Sequence, residues 1–390
     1  MPHSLISRNA DLQRLVDEGY EVDIQAKHLV ITGVPYVNAS REVRRGTLVS
    51  DLQLNGDRTV APSQHVAWFI GEYPCSHVGQ RLTQLVHQEQ QQQFAPGFGA
   101  PYGFSHKPPN GYRDYHEKMT RYMDILGAHA AAIDPTATAK TFKPIAASPE
   151  NSVFHYVDTA TSRAGIGVVS AKLEGHHIAI IGLGGTGSYI LDLVAKTPVA
   201  AIHLFDRDEF LQHNAFRAPG APSLDQLLQR ETKVQFLANV YSRMRREIIP
   251  HPEHITDANV QLLATMTFVF VCIDSGPARR MIFDALTAAR VPFIDAGIGV
   301  ELVDDALWGI VRVTTGTSSK HDHLSHRVSC GQNDDANQYS TNIQVADLNA
   351  LNATLAVIRW KKFVGFYHDD EREHYSSYTT AAHQLTSEER

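Results

Sequence analysis

The chain has 390 residues, of which 43% are hydrophobic and 20% charged, and its formal net charge is −7. This length allows two or three domains with sizeable cores, and the mildly acidic balance disfavours a nucleic-acid-binding surface. The sequence has no apolar run of membrane-spanning length and no signal-peptide pattern, so we expect a cytoplasmic protein without membrane contact. Three widely separated cysteines, Cys75, Cys272 and Cys330, exclude a CxxC zinc ribbon and a disulfide framework.

The first 150 residues are predicted to form an N-terminal α+β domain. Three apolar runs bounded by turn residues predict strands, at residues 28–34, 46–57 and 65–75. Residues 80–93 have a weak helical periodicity, and residues 114–133 predict a longer helix. The segment 134–151 has the composition of a linker, which places a domain boundary near residue 150. No motif in this part indicates a chemistry, and three roles stay open for it, namely recognition of a partner, recruitment of a second protein and stabilisation of a dimer.

Beyond residue 150, apolar strand patterns alternate with helix patterns. This alternation predicts an α/β fold with a Rossmann-like, mostly parallel sheet over residues 151–368. The last strong element, within residues 342–366, is predicted to be a helix whose buried face carries Leu348, Leu351, Leu355 and Ile358. The polar residues 369–390 are predicted to form a loosely ordered C-terminal tail.

A glycine-rich loop follows the first strand of this region. Gly182, Gly184 and Gly187 fit the GxGxxG pattern between a predicted strand and a predicted helix. Glycines let the backbone approach a phosphate, and the N–H groups of the helix start point at its charge. Asp206 ends the next strand, where an acidic residue accepts hydrogen bonds from ribose hydroxyls. These features fit NAD and ATP equally.

Four residues beyond the loop favour ATP. Asn214, Arg217, Lys233 and Asp274 lie at or just after predicted strand ends, and NAD oxidoreductases do not need them. Arg217 and Lys233 are cations suited to a triphosphate, and the Asp274 carboxylate is suited to Mg²⁺. Cations combined with a metal-binding carboxylate are what nucleotidyl transfer requires. The sequence therefore predicts an ATP·Mg²⁺ site.

With these motifs, residues 155–366 resemble the ThiF/MoeB superfamily of adenylyltransferases, which includes ubiquitin-activating-type enzymes. The family's GxGGxGS motif matches residues 182–188, which include Gly185, and its hydrophobic-Asp-x-Asp strand end matches Phe205, Asp206 and Asp208. The family's Asn-x-x-Arg motif matches Asn214 and Arg217. The lysine that opens a helix in the family corresponds to Lys233, and the metal-binding aspartate corresponds to Asp274. Residues 162–173 resemble the segment that carries an arginine reaching into a neighbouring subunit's site, which would be Arg163. The resemblance therefore implies a homodimer.

The resemblance also implies a mechanism, in which the C-terminal carboxylate of a small β-grasp protein attacks the α-phosphorus of ATP·Mg²⁺ and releases pyrophosphate. The glycine loop would cradle the phosphates, and Asp206 would hold the ribose. Arg217, Lys233 and a neighbouring Arg163 would neutralise charge. Asp274 would hold Mg²⁺, while Asn214 would orient the nucleotide.

The sequence departs from the family in its cysteines and at Ser275, where Asn is common. The two zinc-binding CxxC pairs of many members are missing. Ubiquitin-activating types carry a thioester-forming cysteine in a region that corresponds to Cys330, whose polar, His-rich flanks suit an exposed thiol with a depressed pKa. An incidental loop cysteine remains the alternative there. Cys272 is interpreted as core packing, and Cys75 as either buried or functional.

The segment 28–50 ahead of an adenylation domain resembles bacterial activating-type proteins that are encoded beside ubiquitin-like, conjugating and deconjugating partners, several of them in antiphage defence. The expected partners are therefore a ubiquitin-like protein substrate and a conjugating-enzyme-like protein. Three alternatives stay open: a sulfur-carrier adenylyltransferase, an enzyme that activates a small-molecule or tRNA-borne carboxylate, and a non-catalytic adenylation-fold scaffold.

Overall fold

The computed structural model describes residues 2–147, 149–150, 152–330 and 343–389. The chain divides into two compact units, Met1–Ile145 with Thr159–Gly165, and Ala146–Asp158 with Ile166–Arg390. The roles and limits that the sequence predicts for the domains 1–150, 151–368 and 369–390 stay predictions. None of the helices in the described part of the chain has the length and hydrophobicity needed to cross a membrane.

The first unit is built around an antiparallel sheet. Its elements are α1 (Pro2–Arg8), α2 (Ala10–Asp17), β1 (Glu21–Gln25), β2 (His28–Val37), β3 (Val43–Asp51), β4 (Leu54–Asn55), β5 (Arg58–Thr59), β6 (Val66–Ile70), β7 (Val86–Gln88), β8 (Gln92–Ala95), β9 (Phe98–Ala100), β10 (Tyr102–Ser105), α3 (Tyr115–Ala131) and α4 (Thr159–Ala164). Six strands pair in the order β1-β2-β3-β6-β10-β7, every pair antiparallel, while β4–β5 and β8–β9 form separate two-stranded sheets.

The helix α3 confirms the helix predicted at 114–133. Its N-cap Asp114 accepts a hydrogen bond from the Glu117 N–H at 2.8 Å, and its buried face carries Tyr115, Met119 and Tyr122. The helix predicted at 80–93 is wrong. That segment contributes β7 and the start of β8, because pairing with β10 and burial of Val86 in the core outweigh a weak local periodicity.

The second unit alternates strands and helices. Its elements are α5 (Gly167–Ser170), β11 (His177–Ile181), α6 (Gly185–Ala195), β12 (Ala201–Phe205), α7 (Gln212–Ala215), α8 (Leu224–Leu228), α9 (Lys233–Tyr241), β13 (Ile248–His251), β14 (Phe268–Val271), α10 (Gly276–Ala288), β15 (Phe293–Val303), β16 (Ala306–Gly316), α11 (Leu324–Arg327), α12 (Ala346–Phe363), β17 (Tyr375–Thr379) and β18 (Gln384–Glu388). Eight strands pair in the order β13-β12-β11-β14-β15-β16-β17-β18. The first five run parallel, and β15 to β18 pair antiparallel.

Helices cover both faces of the parallel strands, as the uninterrupted apolar strand patterns predict. Along β11, Ile178 and Ile180 enter the core that contains residues of α6, α9 and α12. Ala179 and Ile181 enter a second core that contains residues of α10. The predicted Rossmann-like, mostly parallel fold class is confirmed.

The buried face of α12 is not the predicted leucine stripe. The side of α12 with the lowest exposure instead carries Asn349, Asn352, Ala353, Ala356, Val357 and Trp360. Ile358 is 37% exposed, while Leu348 is buried at one margin of the helix against β15 and β16. Small residues form the contact because α12 packs closely on α6: a Cβ on Gly185 would lie 2.2 Å from Asn349 Nδ2.

The prediction of a loosely ordered tail is also wrong. β17 pairs with β16, and β18 pairs with β17, so the segment extends the sheet. Charges on α12 anchor the connection, because Arg359 Nη1 lies 2.6 Å from the Asp369 carboxylate and Lys362 Nζ lies 3.0 Å from that of Glu373. Polar composition alone did not reveal these pairs.

Candidate active site

A cavity of about 950 Å³ opens at the carboxyl ends of β11, β12 and β14. Open α/β sheets bind their ligands at this edge. Nine of the predicted site residues line it, namely Gly182, Gly184, Gly185, Asp206, Asp208, Asn214, Arg217, Lys233 and Asp274. These residues form what we call the glycine-loop wall. Of the other predicted residues of the second unit, Gly187 and Cys330 do not line the cavity.

The glycine loop is packed too tightly for side chains at three positions, one of which is Gly185 against Asn349. Gly182 has φ of +87°, and a Cβ there would lie 2.5 Å from the carbonyl oxygen of Cys272. A Cβ on Gly187 would lie 1.9 Å from the carbonyl oxygen of Gly182. Gly184, in contrast, has open space around its missing side chain. The loop therefore brings bare backbone and the start of α6 to the cavity, which is the arrangement that cradles a phosphate.

Asp206 is buried and supports the loop. Its Oδ2 accepts a hydrogen bond from the Leu183 N–H at 2.8 Å, and its Oδ1 accepts one from the Asp208 N–H at 2.9 Å. Only 7% of its side chain is exposed, against 58% for Asp208. The Asp206 carboxylate thus fixes the loop through backbone hydrogen bonds, and Asp208 is the more accessible of the two acids.

Lys233 opens α9 and lies between these two carboxylates. Its Nζ donates to Asp208 Oδ2 at 2.7 Å and lies 3.5 Å from Asp206 Oδ2. Burial alone would raise the pKa of Asp208, but the hydrogen bond and charge of Lys233 outweigh it and lower that pKa. Asp206, Asp208 and His254 offer ligand atoms within 4.8 Å of one another, yet the Lys233 ammonium disfavours a cation among them.

Asn214 and Arg217 present unpaired donors. Asn214 is 3% exposed, and its Oδ1 accepts a hydrogen bond from the Leu211 N–H at 2.8 Å. The Asn214 Nδ2 and the Arg217 Nε are both buried without a hydrogen-bond partner in the described part of the chain. Burial lowers the pKa of the Arg217 guanidinium, and the charge of Asp274 opposes that shift. Buried donors without partners are costly, and a ligand with acceptor oxygens would satisfy them.

Asp274 follows β14 and borders the cavity with Ser275, the N-cap of α10. Its carboxylate is exposed and interacts electrostatically with Arg217. The end of β14 therefore adds a negative charge to the wall that carries Arg217 and Lys233.

The opposite side of the cavity carries residues that the sequence motifs did not indicate. The lining residues there are Arg279, Ala296, Gly297, Ile298, Arg312 and Gln344, and we call them, together with Asp295, the buried ion-pair partner of Arg279, the β15–β16 wall. Asp295 is 1% exposed, and its Oδ1 lies 3.0 Å from Arg279 Nε. Burial raises the pKa of Asp295, and the charges of Arg279 and Arg312 oppose the shift. An acidic residue inside the apolar run PFIDAGI was the signal that could have found this wall.

Arg279 also binds two backbone carbonyls. Its Nη1 donates to the Ser329 carbonyl at 2.8 Å, and its Nη2 donates to the Ile273 carbonyl. The Arg279 guanidinium therefore binds both Ile273, which precedes Asp274, and Ser329, which precedes Cys330.

Cys330 differs from its predicted environment. Cys330 is half-buried and packs against the core that contains residues of α10. This burial raises the pKa of its thiol, and the charge of Arg279 opposes the shift. The expectation of an exposed thiol with a depressed pKa is therefore wrong. Cys272 packs against the core as interpreted but also borders the cavity. Cys75 is buried in the first unit, and burial raises the pKa of its thiol.

Arg163 lies on α4 in the first unit. Its Nε is 3.5 Å from Asp17 Oδ1, and 62% of its side chain is exposed. Its role toward a neighbouring subunit stays a prediction.

Comparison with known families assigns most of the chain. The ThiF family model matches residues 161–385, which is more than half of the chain. The chain belongs to the ThiF family. Its second unit accordingly has the ThiF adenylation fold, and the predicted superfamily is confirmed. A second model, described as a domain of unknown function (DUF6791), matches residues 10–159.

Several solved structures are similar to part of this chain. Escherichia coli MccB with MccA-N7isoASN is 17% identical, with 59% of this chain and 69% of that chain covered and a TM-score of 0.46. PaaA is 16% identical, with coverages of 57% and 75% and a TM-score of 0.46. E. coli MccB with ATP is 18% identical, with coverages of 57% and 65% and a TM-score of 0.42. No curated protein matches the chain.

Proposed function

We propose that this protein uses ATP to adenylate the C-terminal carboxylate of a ubiquitin-like protein. One observation carries the proposal: among the described residues, the buried Asn214 Nδ2 and Arg217 Nε have no partner beside a glycine loop at the carboxyl edge of the sheet. Both atoms are donors, and the groups that satisfy them must be acceptors. A nucleoside triphosphate supplies such oxygens. Because NAD also carries acceptor oxygens on its diphosphate, the choice of ATP rests on the match to the ThiF family.

ATP fits the residues present. The loop leaves open space at Gly184 for phosphates, and the first N–H groups of α6 have no intrahelical partner. Arg217 and Lys233 supply positive charge to the triphosphate. Asp208 is more exposed than Asp206 and is therefore the carboxylate better placed to accept hydrogen bonds from ribose hydroxyls. Asp206 fixes the conformation of the loop.

Mg²⁺ also fits the donor chemistry. Asp274 provides a carboxylate at the cavity, and magnesium in nucleotide sites takes one or two carboxylates, phosphate oxygens and waters. When bound, the ion would neutralise charge on the phosphate oxygens.

The chemistry asks little of the protein beyond placement and charge. A carboxylate oxygen of the substrate attacks the α-phosphorus and forms a new P–O bond. The bond from the α-phosphorus to the bridging oxygen breaks, and pyrophosphate leaves with the electron pair. The attacking carboxylate is already ionised, so no side chain has to act as a base. Arg217 and Lys233 would stabilise the charge that develops on the phosphate oxygens.

The identity of the substrate rests on the family resemblance. A bacterial ubiquitin-like protein, a conjugating-enzyme-like partner and a role in antiphage defence agree with the combination of domains. A homodimer in which Arg163 reaches the site of a second copy belongs to the same proposal. The first unit would recognise one of these protein partners.

A second version of the reaction ends at the adenylate. Cys330 is half-buried, and this burial raises the pKa of its thiol. Because the thiolate is the nucleophilic form, this environment favours direct transfer of the activated carboxyl over a thioester at Cys330. Sulfur-carrier adenylyltransferases release their product in this manner, and they are the alternative that this observation supports.

The first experiment tests the nucleotide. The full chain is incubated with AMPCPP and Mg²⁺, with NAD, or with Mg²⁺ alone, and its melting temperature is recorded. We expect stabilisation by AMPCPP and none by NAD. Stabilisation by NAD and none by AMPCPP would contradict the proposal.

The second experiment tests the chemistry. Intact masses are measured after the chain is mixed with ATP, Mg²⁺ and a co-encoded ubiquitin-like protein, with and without reductant. An adenylated carrier supports the proposal. A reductant-sensitive covalent complex that disappears in Cys330→Ala supports the thioester version, and an adenylate without this complex supports direct transfer.

A further inference from the structure

The strand β15 runs beyond its parallel neighbour. It pairs with β14 over Phe293–Asp295 but with β16 over Phe293–Val303. From Ala296 onward, the edge that faces away from β16 has no strand partner in the described part of the sheet, and Ala296 and Gly297 line the cavity. Open strand edges are templates for an extended peptide. The β15–β16 wall thus offers room for a chain end beside the nucleotide.

Arg312 lies directly opposite Gly297 in the register of β15 and β16. A Cβ on Gly297 would lie 2.5 Å from Arg312 Nη2, so the guanidinium rests on bare backbone. Glycine at this position is what allows Arg312 to reach the cavity in this conformation. A side chain at 297 would displace the guanidinium.

Arg312 is a cation without an ion pair in the described residues. Its Nη1 donates to the Arg327 carbonyl at 3.1 Å, and no described carboxylate lies within 4.0 Å of it. Lys233, by contrast, is paired with two aspartates of the glycine-loop wall. Asp295 lies close enough to interact with Arg312 electrostatically, but its ion-pair partner is Arg279. Arg312 therefore has charge available for an anion in the cavity.

The wall also contains an unpaired acceptor. Gln344 lines the cavity, and its buried Oε1 has no hydrogen-bond partner among the residues that the structure describes. An amide N–H of a peptide would satisfy it. The Gly297 carbonyl is already occupied, because Asn352 Nδ2 donates to it at 3.0 Å. The Arg312 guanidinium can bind a terminal carboxylate, and the Gln344 Oε1 can accept a hydrogen bond from a peptide N–H. These are the two groups that the last residue of a peptide chain presents.

We propose that Arg312 binds the terminal carboxylate of an extended peptide chain lying along β15 and so makes the site specific for C-terminal carboxylates. This inference rests on the proposed adenylation. It assigns the two sides of the cavity to different substrates: the glycine-loop wall takes the triphosphate, and the β15–β16 wall takes the chain that is activated.

The test uses the full chain and a pooled library of decapeptides with free C-terminal carboxylates. Each protein is incubated with ATP, Mg²⁺, the library and hydroxylamine, which converts an acyl adenylate into a hydroxamate and AMP. Peptide hydroxamates are identified by mass, and KM and kcat are measured for the best peptide. In Arg312→Gln we expect KM to rise about 10- to 100-fold, because a charge-assisted hydrogen bond to the carboxylate is lost. AMPCPP affinity should stay within about twofold, since nucleotide and carboxylate are held by separate residues.

Arg280→Gln is the matched control, because Arg280 is an exposed arginine on α10 that does not line the cavity. It should leave KM unchanged. Gly297→Ala is a second variant that keeps Arg312 but displaces it, and we expect a similar rise in KM. It keeps the test decisive should Arg312→Gln not fold.

Each remaining outcome is informative. An unchanged KM in Arg312→Gln, or a parallel loss of AMPCPP binding, would overturn the role of Arg312. Restoration of KM in the double variant Arg312→Gln, Asp295→Asn would overturn it as well, since Arg312 would then only balance the charge of Asp295. If the wild-type protein binds AMPCPP but forms no hydroxamate from any peptide, recognition of a free chain end by the β15–β16 wall is overturned. The proposed adenylation itself is refuted only if the ubiquitin-like protein also stays unmodified in the intact-mass experiment.

Discussion

The two walls of the cavity are built by different means. On the glycine-loop wall, backbone hydrogen bonds fix the acidic residues: Asp206 accepts from the N–H groups of Leu183 and Asp208. On the β15–β16 wall, a buried ion pair between Arg279 and Asp295 takes that place. Backbone hydrogen bonds link the glycine loop to the end of the neighbouring strand β12, whereas the ion pair joins helix α10 to strand β15. The first wall is therefore shaped by two adjacent strand ends, and the second depends on the packing of α10 against β15.

The largest effect should come from breaking the ion pair of the β15–β16 wall. Asp295→Ala leaves the Arg279 guanidinium buried without its counter-charge, which costs about 3–5 kcal/mol of unfolding free energy. Urea unfolding of the full chain measures the change. The control Asp284→Ala removes an exposed acid and should change it by less than about 0.5 kcal/mol.

The same comparison can be sharpened with an apolar replacement. The double variant Arg279→Met, Asp295→Leu removes both charges and should recover much of the lost stability, because well-packed apolar residues can replace a buried ion pair. A single variant Asp295→Ala as stable as the wild type would show that the ion pair does not hold this wall.

The next effect concerns catalysis at the glycine-loop wall. Lys233→Ala or Asp274→Ala should lower adenylation about 10²–10³-fold, since losing one preorganised charge contact costs roughly 3–4 kcal/mol of transition-state stabilisation. Pyrophosphate release measures the rate. Lys196→Ala, which removes an exposed lysine paired with Asp192, is the control. Near-wild-type rates in Lys233→Ala and Asp274→Ala would refute this assignment of the site.

Sequence reasoning found the glycine-loop wall because its residues follow strand ends in a fixed order. The pattern from Gly182 to Asp274 predicts both the parallel sheet and the edge where the side chains meet. It did not reveal that the Asp206 carboxylate accepts hydrogen bonds from backbone N–H groups, because the spacing of residues in the sequence does not indicate hydrogen-bond partners. It did identify nine of the residues that line the cavity.

The β15–β16 wall was missed for a physical reason. Arg312 and Gly297 become neighbours only through the register of two antiparallel strands, which depends on the hairpin between them. The face of α12 was misjudged similarly: helical spacing identified the leucines, but close packing on α6 selects small residues such as Ala353 and Ala356. Weak periodicity at 80–93 likewise failed against strand pairing.

A moderate effect is expected from pH at the strand that leads into the glycine-loop wall. His203 Nδ1 lies 3.0 Å from His251 Nε2, and burial, together with the charge of His251, lowers the pKa of His203 from 6.5 to about 4. Between these values the unfolded chain takes up a proton that the folded chain does not bind. The unfolding free energy should therefore fall by up to about 3 kcal/mol as the pH falls from 6.5 to 4.

Denaturant unfolding at several pH values tests this sign. His203→Gln should remove the share of the dependence that belongs to His203, while other histidines whose pKa burial lowers, such as His251, keep theirs. His368→Gln, at an exposed position, should leave the dependence unchanged. An equal slope in His203→Gln and the wild type would show that other groups control the acid response.

The smallest effect separates charge from geometry on the glycine-loop wall. Arg217→Lys keeps the positive charge but removes the Nε donor, which is buried without a partner in the protein alone. If a phosphate oxygen satisfies this donor, AMPCPP affinity should fall about 10-fold, the effect of one charge-assisted hydrogen bond. Calorimetric titration measures the affinity, and Arg207→Lys, at an exposed position outside the cavity lining, is the control. Equal affinity in Arg217→Lys and the wild type would mean that Arg217 contributes only its charge, and the glycine-loop wall would then recognise phosphates through the backbone of the loop rather than through a directed side chain.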